Sequence, residues 1–213
     1  MRYYIADCHF FHEALNREMD HRGFASVEEM NEYMIKRWNE KVRNRDEVVI
    51  LGDLSMGNAE QTNALLDRLQ GKLFLIVGNH DNRYLRSKTF HKERFGWIYP
   101  YAEPHDDGRK VVLSHYPIAC YNGQYLKNKK GEPRTYMLYG HVHDSHDERL
   151  IEQYQQMVEK TRIPDRDGGT QSLSSHMINC FCMYSDYQPL SLDEWIALTK
   201  QRLIRCQNVE DSL

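Results

Sequence analysis

Apolar positions along the chain gather into short runs separated by longer stretches of helical period. The runs Tyr3 to Ala6, Val48 to Leu51, Leu73 to Val77, Val111 to Ser114, Tyr136 to Tyr139 and Met177 to Met183 have the length of strands and little polar alternation. Strands buried on both faces read this way, which points to parallel sheet covered by helices. Between the runs, three N-cap residues are followed three positions later by Glu or Gln: Ser26 with Glu29, Asn58 with Gln61, and Ser191 with Glu194. In such capping boxes each side chain satisfies the other's orphan backbone donor, so they predict helix starts. The first helix carries Val27, Met30, Tyr33, Met34 and Trp38 at spacings of three and four, an apolar stripe that reads as core. The second is expected to stop at Gly71 and feed the run before Gly78. Alternation of strand and helix predicts an α/β fold.

Two stretches depart from this pattern. Residues 122–135 concentrate Lys127, Lys129, Lys130 and Arg134 among turn formers, which reads as a solvated loop or as one that faces phosphate. Residues 145–175 read as an exposed helix and a polar loop, an insertion within one domain spanning 1–213.

Composition narrows the class. The chain has 213 residues, enough for one sizeable core, and its net charge of -3 comes from 28 basic and 31 acidic residues. No global positive field favours nucleic acid. No apolar run reaches the 18 or so residues of a membrane span, and the opening MRYYIADCHF lacks the apolar centre of a secretion signal, so a cytoplasmic protein without membrane contact is expected. Cys8, Cys120, Cys180, Cys182 and Cys206 lack zinc-finger spacing and read as free thiols.

The candidate chemistry stands at the strand ends. The first run leads to Asp7 and His9, the second to Gly52 and Asp53, the third to Gly78, Asn79, His80 and Asp81, the fourth to His115, and the fifth to Gly140, His141 and His143. Side by side in a parallel core, these groups converge on one edge, where ligands bind in open α/β sheets. Asp7 with His9, and His141 with His143, stand two apart, so in extended backbone each pair points one way. Carboxylates, imidazoles and an amide oxygen suit Mn²⁺, Fe or Zn²⁺, whereas Ca²⁺ wants more oxygens and structural Zn²⁺ wants thiolates. Seven candidate ligands exceed what one open catalytic ion uses, so two ions sharing a carboxylate, best Asp53, are expected. His21, His91, His105, His146 and His176 stand outside the pattern and read as ordinary hydrogen-bonded residues; His12 stays undecided.

In order, "DCH", "GD", "GNHD", "SH" and "GHVH" resemble the motif series of the calcineurin-like metallophosphoesterase family, over Asp7 to His143. "DCHFFHEALN", "SHYP" and "DYQPLSLDEW" look like its small bacterial and phage branch. The resemblance implies a two-sheet sandwich flanked by helices. It assigns Asp7, His9, Asp53 and His143 to one metal and Asp53, Asn79, His115 and His141 to the other. Manganese is the first expectation, with Fe, Zn or Ni as alternatives. His80 is then the proton donor to a leaving oxygen, with Asp81 orienting its imidazole, and a metal-bridging hydroxide is the nucleophile. Cys8 departs from the family, where many members carry a small polar residue. The expected reaction is hydrolysis of a small phosphate ester, a phosphodiester or nucleotide foremost. The alternatives are a nuclease on DNA or RNA and a non-catalytic scaffold for a protein partner.

Overall fold

The strands' period of two, hidden because both faces are apolar, becomes visible in the computed structural model. It describes residues 1–165 and 167–210, with 205–210 as backbone alone; the Cys206 thiol lies outside the described residues. The first half contains β1 (Arg2–Ile5), α1 (Val27–Lys41), β2 (Glu47–Ile50), α2 (Ala59–Arg68), β3 (Lys72–Ile76), α3 (Asn82–Leu85) and β4 (Phe95–Tyr99). The second contains β5 (Tyr101–Ala102), β6 (His105–Asp106), β7 (Arg109–Ser114), β8 (Thr135–Tyr139), α4 (His146–Lys160), β9 (Arg162–Pro164), β10 (Thr170–Ser172), β11 (Met177–Asn179) and α5 (Leu192–Glu210).

Strands β1 to β4 form a parallel sheet in chain order. A second sheet runs β11-β8-β7-β5, its first three strands parallel, with β5 and β6 both antiparallel to β7. Tyr4, Ala6, Val49, Leu51 and Ile76 pack against Val111, Leu113, Tyr136, Leu138 and Ile178 between the sheets. Their alternates Tyr3, Ile5, Val48, Ile50, Leu73 and Leu75 face Met30, Met34, Trp38, Leu65 and Leu66 of α1 and α2. On the outer face of the second sheet, Val112, Met137 and Tyr139 meet Tyr121, Val142 and, from α4, Ile151 and Tyr154. The α/β alternation expected from the sequence and the two-sheet sandwich implied by the family resemblance are therefore both present in the fold. Among the described residues, no helix is long and apolar enough to cross a membrane.

The sheets join at one edge. Ala6 N–H donates to Cys180 O at 2.8 Å and Cys182 N–H to Ala6 O at 3.0 Å, so the C-terminal ends of β1 and β11 meet. The run Met177 to Met183 is strand only to Asn179, and a 3₁₀ turn, Cys182–Ser185, follows. The Asn179 side chain accepts Phe181 N–H at 3.1 Å and diverts the backbone. Strand β4 escaped the sequence pattern because Gly96 interrupts its apolar run; a Cβ there would lie 2.3 Å from the Phe74 ring. Helix α2 ends at Arg68, three residues before Gly71. The Asn58 and Ser191 boxes close fully, whereas Glu29 reaches the N–H of Ala25 rather than Ser26.

Within residues 145–175, α4 is followed by an antiparallel hairpin of β9 and β10 where the sequence read a polar loop. The lysine-rich loop enters β8 at Thr135, the end of the strand opposite His141. Cys8, Cys120, Cys180 and Cys182 are free.

Candidate metal centre

Three glycines explain why the motifs read GD, GNHD and GHVH. A Cβ on Gly78 would lie 2.2 Å from Asp53 Oδ1, one on Gly140 2.5 Å from Asp7 Oδ2, and one on Gly52 2.3 Å from His115 Nδ1. Backbone must pass this closely for carboxylates from different strands to reach one point. The expected extended pairs are not what brings them there. Asp7, His9, Asp53, His141 and His143 all have positive φ, between 49° and 72°. Such left-handed backbone costs about 1–3 kcal/mol per residue and collects at functional sites. It curls each loop after its strand so that alternate side chains turn into the edge.

The seven predicted ligands meet there. Asp53 Oδ2 lies 3.6 Å from His9 Nε2 and 3.4 Å from His115 Nε2, between the two halves of the cluster. On one side, His143 Nε2 is 3.2 Å from His9 Nε2 and 3.9 Å from Asp7 Oδ1. On the other, Asn79 Oδ1 lies 2.9 Å from His115 Nε2 and 3.0 Å from His141 Nδ1. Among the described residues, two groups have the spacing to hold an ion, Asp7 with His9 and His143, and Asp7 with Asp53 and His115. Asp7 is common to both groups, where the resemblance implied sharing by Asp53 alone. His12 approaches His9 edge-on at 5.7 Å but belongs to neither group, nor do His21, His91, His105, His146 and His176.

Burial and carboxylate–imidazole pairing set the electrostatics of the cluster. Burial pushes the Asp7 carboxyl up to about 6, although His143 and His115 pull the other way. Burial also opposes ionisation of Asp53, but the hydrogen bond and charge of His115, then His9, outweigh it and bring its pKa to about 2. His115 is raised to about 9 because Asp53 and Asp7 overcome its burial. Burial holds His9 well below the usual imidazole range, which favours the neutral ring with one nitrogen lone pair. Its Nδ1 is buried without a hydrogen-bond partner among the described residues. Facing imidazole nitrogens, buried carboxylates and an amide oxygen without thiolate fit a pair of borderline divalent metals.

Asp81 is placed differently from its expected role. Its fully buried carboxylate accepts the N–H groups of Asp53 at 2.9 Å, Leu54 at 3.0 Å and Gly78 at 2.7 Å, and the Tyr84 hydroxyl at 2.7 Å. These donors leave it turned into the core beneath Asp53, and it does not orient the His80 imidazole. His80 is exposed; its N–H donates to Asp53 Oδ1 at 2.8 Å and its Nε2 stands 4.0 Å from Asp53 Oδ2.

Other residues touch the centre that the sequence pattern did not single out. Asp20 Oδ1 lies 2.8 Å from His143 Nδ1, and Asn179 Nδ2 donates both to His143 O and to Glu148 Oε2 at 2.9 Å. The exposed ring of Tyr116 stands edge-on to His141 at 4.5 Å. Asp20 falls in a loop of no regular period, and only its acidity could have marked it.

Comparison with known proteins agrees with this architecture. A family model for calcineurin-like phosphoesterase matches residues 3–195, and the chain belongs to that family. An uncharacterized protein of Methanocaldococcus jannaschii is 31% identical over 209 residues, covering 97% of this chain and 96% of that one. The gene 66 protein of Mycobacterium phage L5 is 28% identical over 164 residues, 66% of this chain and 76% of the phage protein. The crystal structure of a protein of unknown function from Aquifex aeolicus shares the fold with a TM-score of 0.62 at 22% identity, covering 91% of this chain and 96% of that one.

Proposed function

We propose that the chain hydrolyses a small phosphate ester, a phosphodiester or nucleotide, with two divalent cations, manganese first and Fe, Zn or Ni as alternatives. The observation that carries this reading is the position of Asp53 Oδ2 between His9 and His115, with ligand groups on either side. The cations would supply charge neutralisation at the phosphoryl oxygens and lower the pKa of an attacking water.

The chain's own residues do the rest. Asp7, His9, Asp53 and His143 would hold one ion, and Asp53, Asn79, His115 and His141 the other, with Asp7 close to both. The glycines at 52, 78 and 140 let backbone close around the carboxylates. His80, exposed and anchored to Asp53 through its backbone, would donate a proton to the departing oxygen. That proton matters most when the leaving group is a poor alkoxide. The lysine-rich loop lies at the far end of β8, which favours a small substrate over a nucleic-acid backbone.

The test is a panel of p-nitrophenyl monoesters and diesters, alkyl diesters, cyclic nucleotides and short oligonucleotides, assayed with Mn²⁺, Ni²⁺, Zn²⁺ and Mg²⁺. Hydrolysis of the small esters is expected, and His80→Ala should keep its metal while losing about 10²- to 10⁴-fold in turnover on alkyl diesters. No hydrolysis by metal-loaded protein overturns the reading. Cleavage of oligonucleotides alone, with affinity falling steeply in salt, replaces it with a nuclease.

A further inference from the structure

The structure assigns Asp20 and Arg22 to the metal centre as positioning residues: Asp20 fixes the imidazole of His143, and Arg22 locks that carboxylate to the backbone carrying Asp7 and His9. This rests on the metal-centre reading above. Asp20 Oδ1 meets His143 at Nδ1, whereas Asp7 and His9 face the opposite ring nitrogen, Nε2. A carboxylate at Nδ1 keeps the ring proton there and leaves the Nε2 lone pair directed at a cation.

Arg22 uses all three of its nitrogens at this place. Nε and Nη2 donate to Asp20 Oδ2 at 3.1 and 2.9 Å, Nη1 donates to Cys8 O at 2.6 Å, and Nη2 also donates to Asp7 O at 3.0 Å. Both Asp20 oxygens are engaged, Oδ1 by the His143 ring and Oδ2 by Arg22. The side chains are 7% and 0% exposed. A buried ion pair of this kind contributes little net stability, because desolvation of both charges offsets their attraction. Its contacts run instead to two loops that carry ligands, through the His143 ring and through the carbonyls of Asp7 and Cys8.

Local backbone delivers both side chains. Leu15–Met19 form a π-helical turn, closed by Asp20 N–H donating to Leu15 O at 3.2 Å. Turns of this type collect at functional sites. Positive φ at His21 and Gly23 then reverses the chain, and the Asn16 amide clamps both the N–H and the carbonyl of Phe24. Asp20 and Arg22 are thereby held on the same side of the loop, toward β1.

The experiment titrates metal-free wild type, Asp20→Asn, Asp20→Glu and Arg22→Lys with Mn²⁺ by calorimetry, alongside thermal melts and imidazole ¹⁵N spectra at high pH. Wild type should take two ions with His143 protonated at Nδ1. Asp20→Asn and Arg22→Lys should weaken one ion by about ten- to hundredfold and leave the other unchanged, with Asp20→Glu recovering part of the loss. Equal affinities in a folded Asp20→Asn protein overturn the assignment. Should that variant fail to fold, a His143 proton on Nε2 in wild type overturns it equally. No Mn²⁺ binding by wild type is a different result and removes the metal-centre reading itself.

Discussion

The Asp81 carboxylate lies beneath Asp53 and accepts its backbone N–H at 2.9 Å, while His80, its neighbour in the chain, is exposed. Adjacent residues of one motif therefore do separate jobs. Asp81→Ala strips acceptors from three buried N–H groups and the Tyr84 hydroxyl, and unsatisfied buried donors are costly. The expected outcome is a loss of about 3–5 kcal/mol, read from urea denaturation, together with reduced metal content. Unchanged stability and metal content with a loss of turnover alone would return Asp81 to the role of orienting His80.

Gly78 and Gly140 offer a sharper probe of the close approach between strands. A single methyl at either position collides with a carboxylate oxygen of Asp53 or Asp7. Gly78→Ala and Gly140→Ala should each lower metal occupancy, measured by elemental analysis, and turnover with it. Gly108→Ala is the control for position, since a Cβ there meets nothing within 4 Å. Its positive φ of 74° predicts some strain but full metal content.

The pH dependence of stability should carry the signature of His176. Burial lowers its pKa to about 4, and its Nε2 has no hydrogen-bond partner among the described residues. Between that value and the ordinary imidazole value near 6.5, the unfolded chain binds the proton and the folded one resists it. Its contribution is therefore present above about pH 6.5 and is lost as pH falls toward 4. Glu148 works in the opposite direction: burial raises its pKa to about 6, so its contribution is present below the ordinary carboxylate range and disappears as pH rises through 6. Comparing urea midpoints of wild type and His176→Phe from pH 7 to pH 4 isolates the histidine. The wild-type curve should fall more steeply, and parallel curves would remove His176 as the cause.

Strand ends, capping boxes and the order of the motifs could be read along the chain because each depends on neighbours within a few positions. Val48 to Ile50 and Leu73 to Ile76 announce themselves by apolar run alone, and Asn58 by Gln61 three residues later. The seven candidate ligands followed, since a strand end is a local feature. Strand β4 was lost to Gly96, whose reason lies in the Phe74 ring of the adjacent strand.

The sequence by itself determined the alternation of strand and helix and the candidate ligand residues at the strand ends, because periodicity and side-chain chemistry are properties of short segments. Tertiary structure alone decided the left-handed backbone at Asp7 and His143, the descent of Asp81 beneath Asp53, and the arrival of Asp20 at a histidine 123 positions away. Those outcomes depend on how two sheets meet at one edge. Close packing there fixes which polar groups find partners, and no spacing along the chain encodes it.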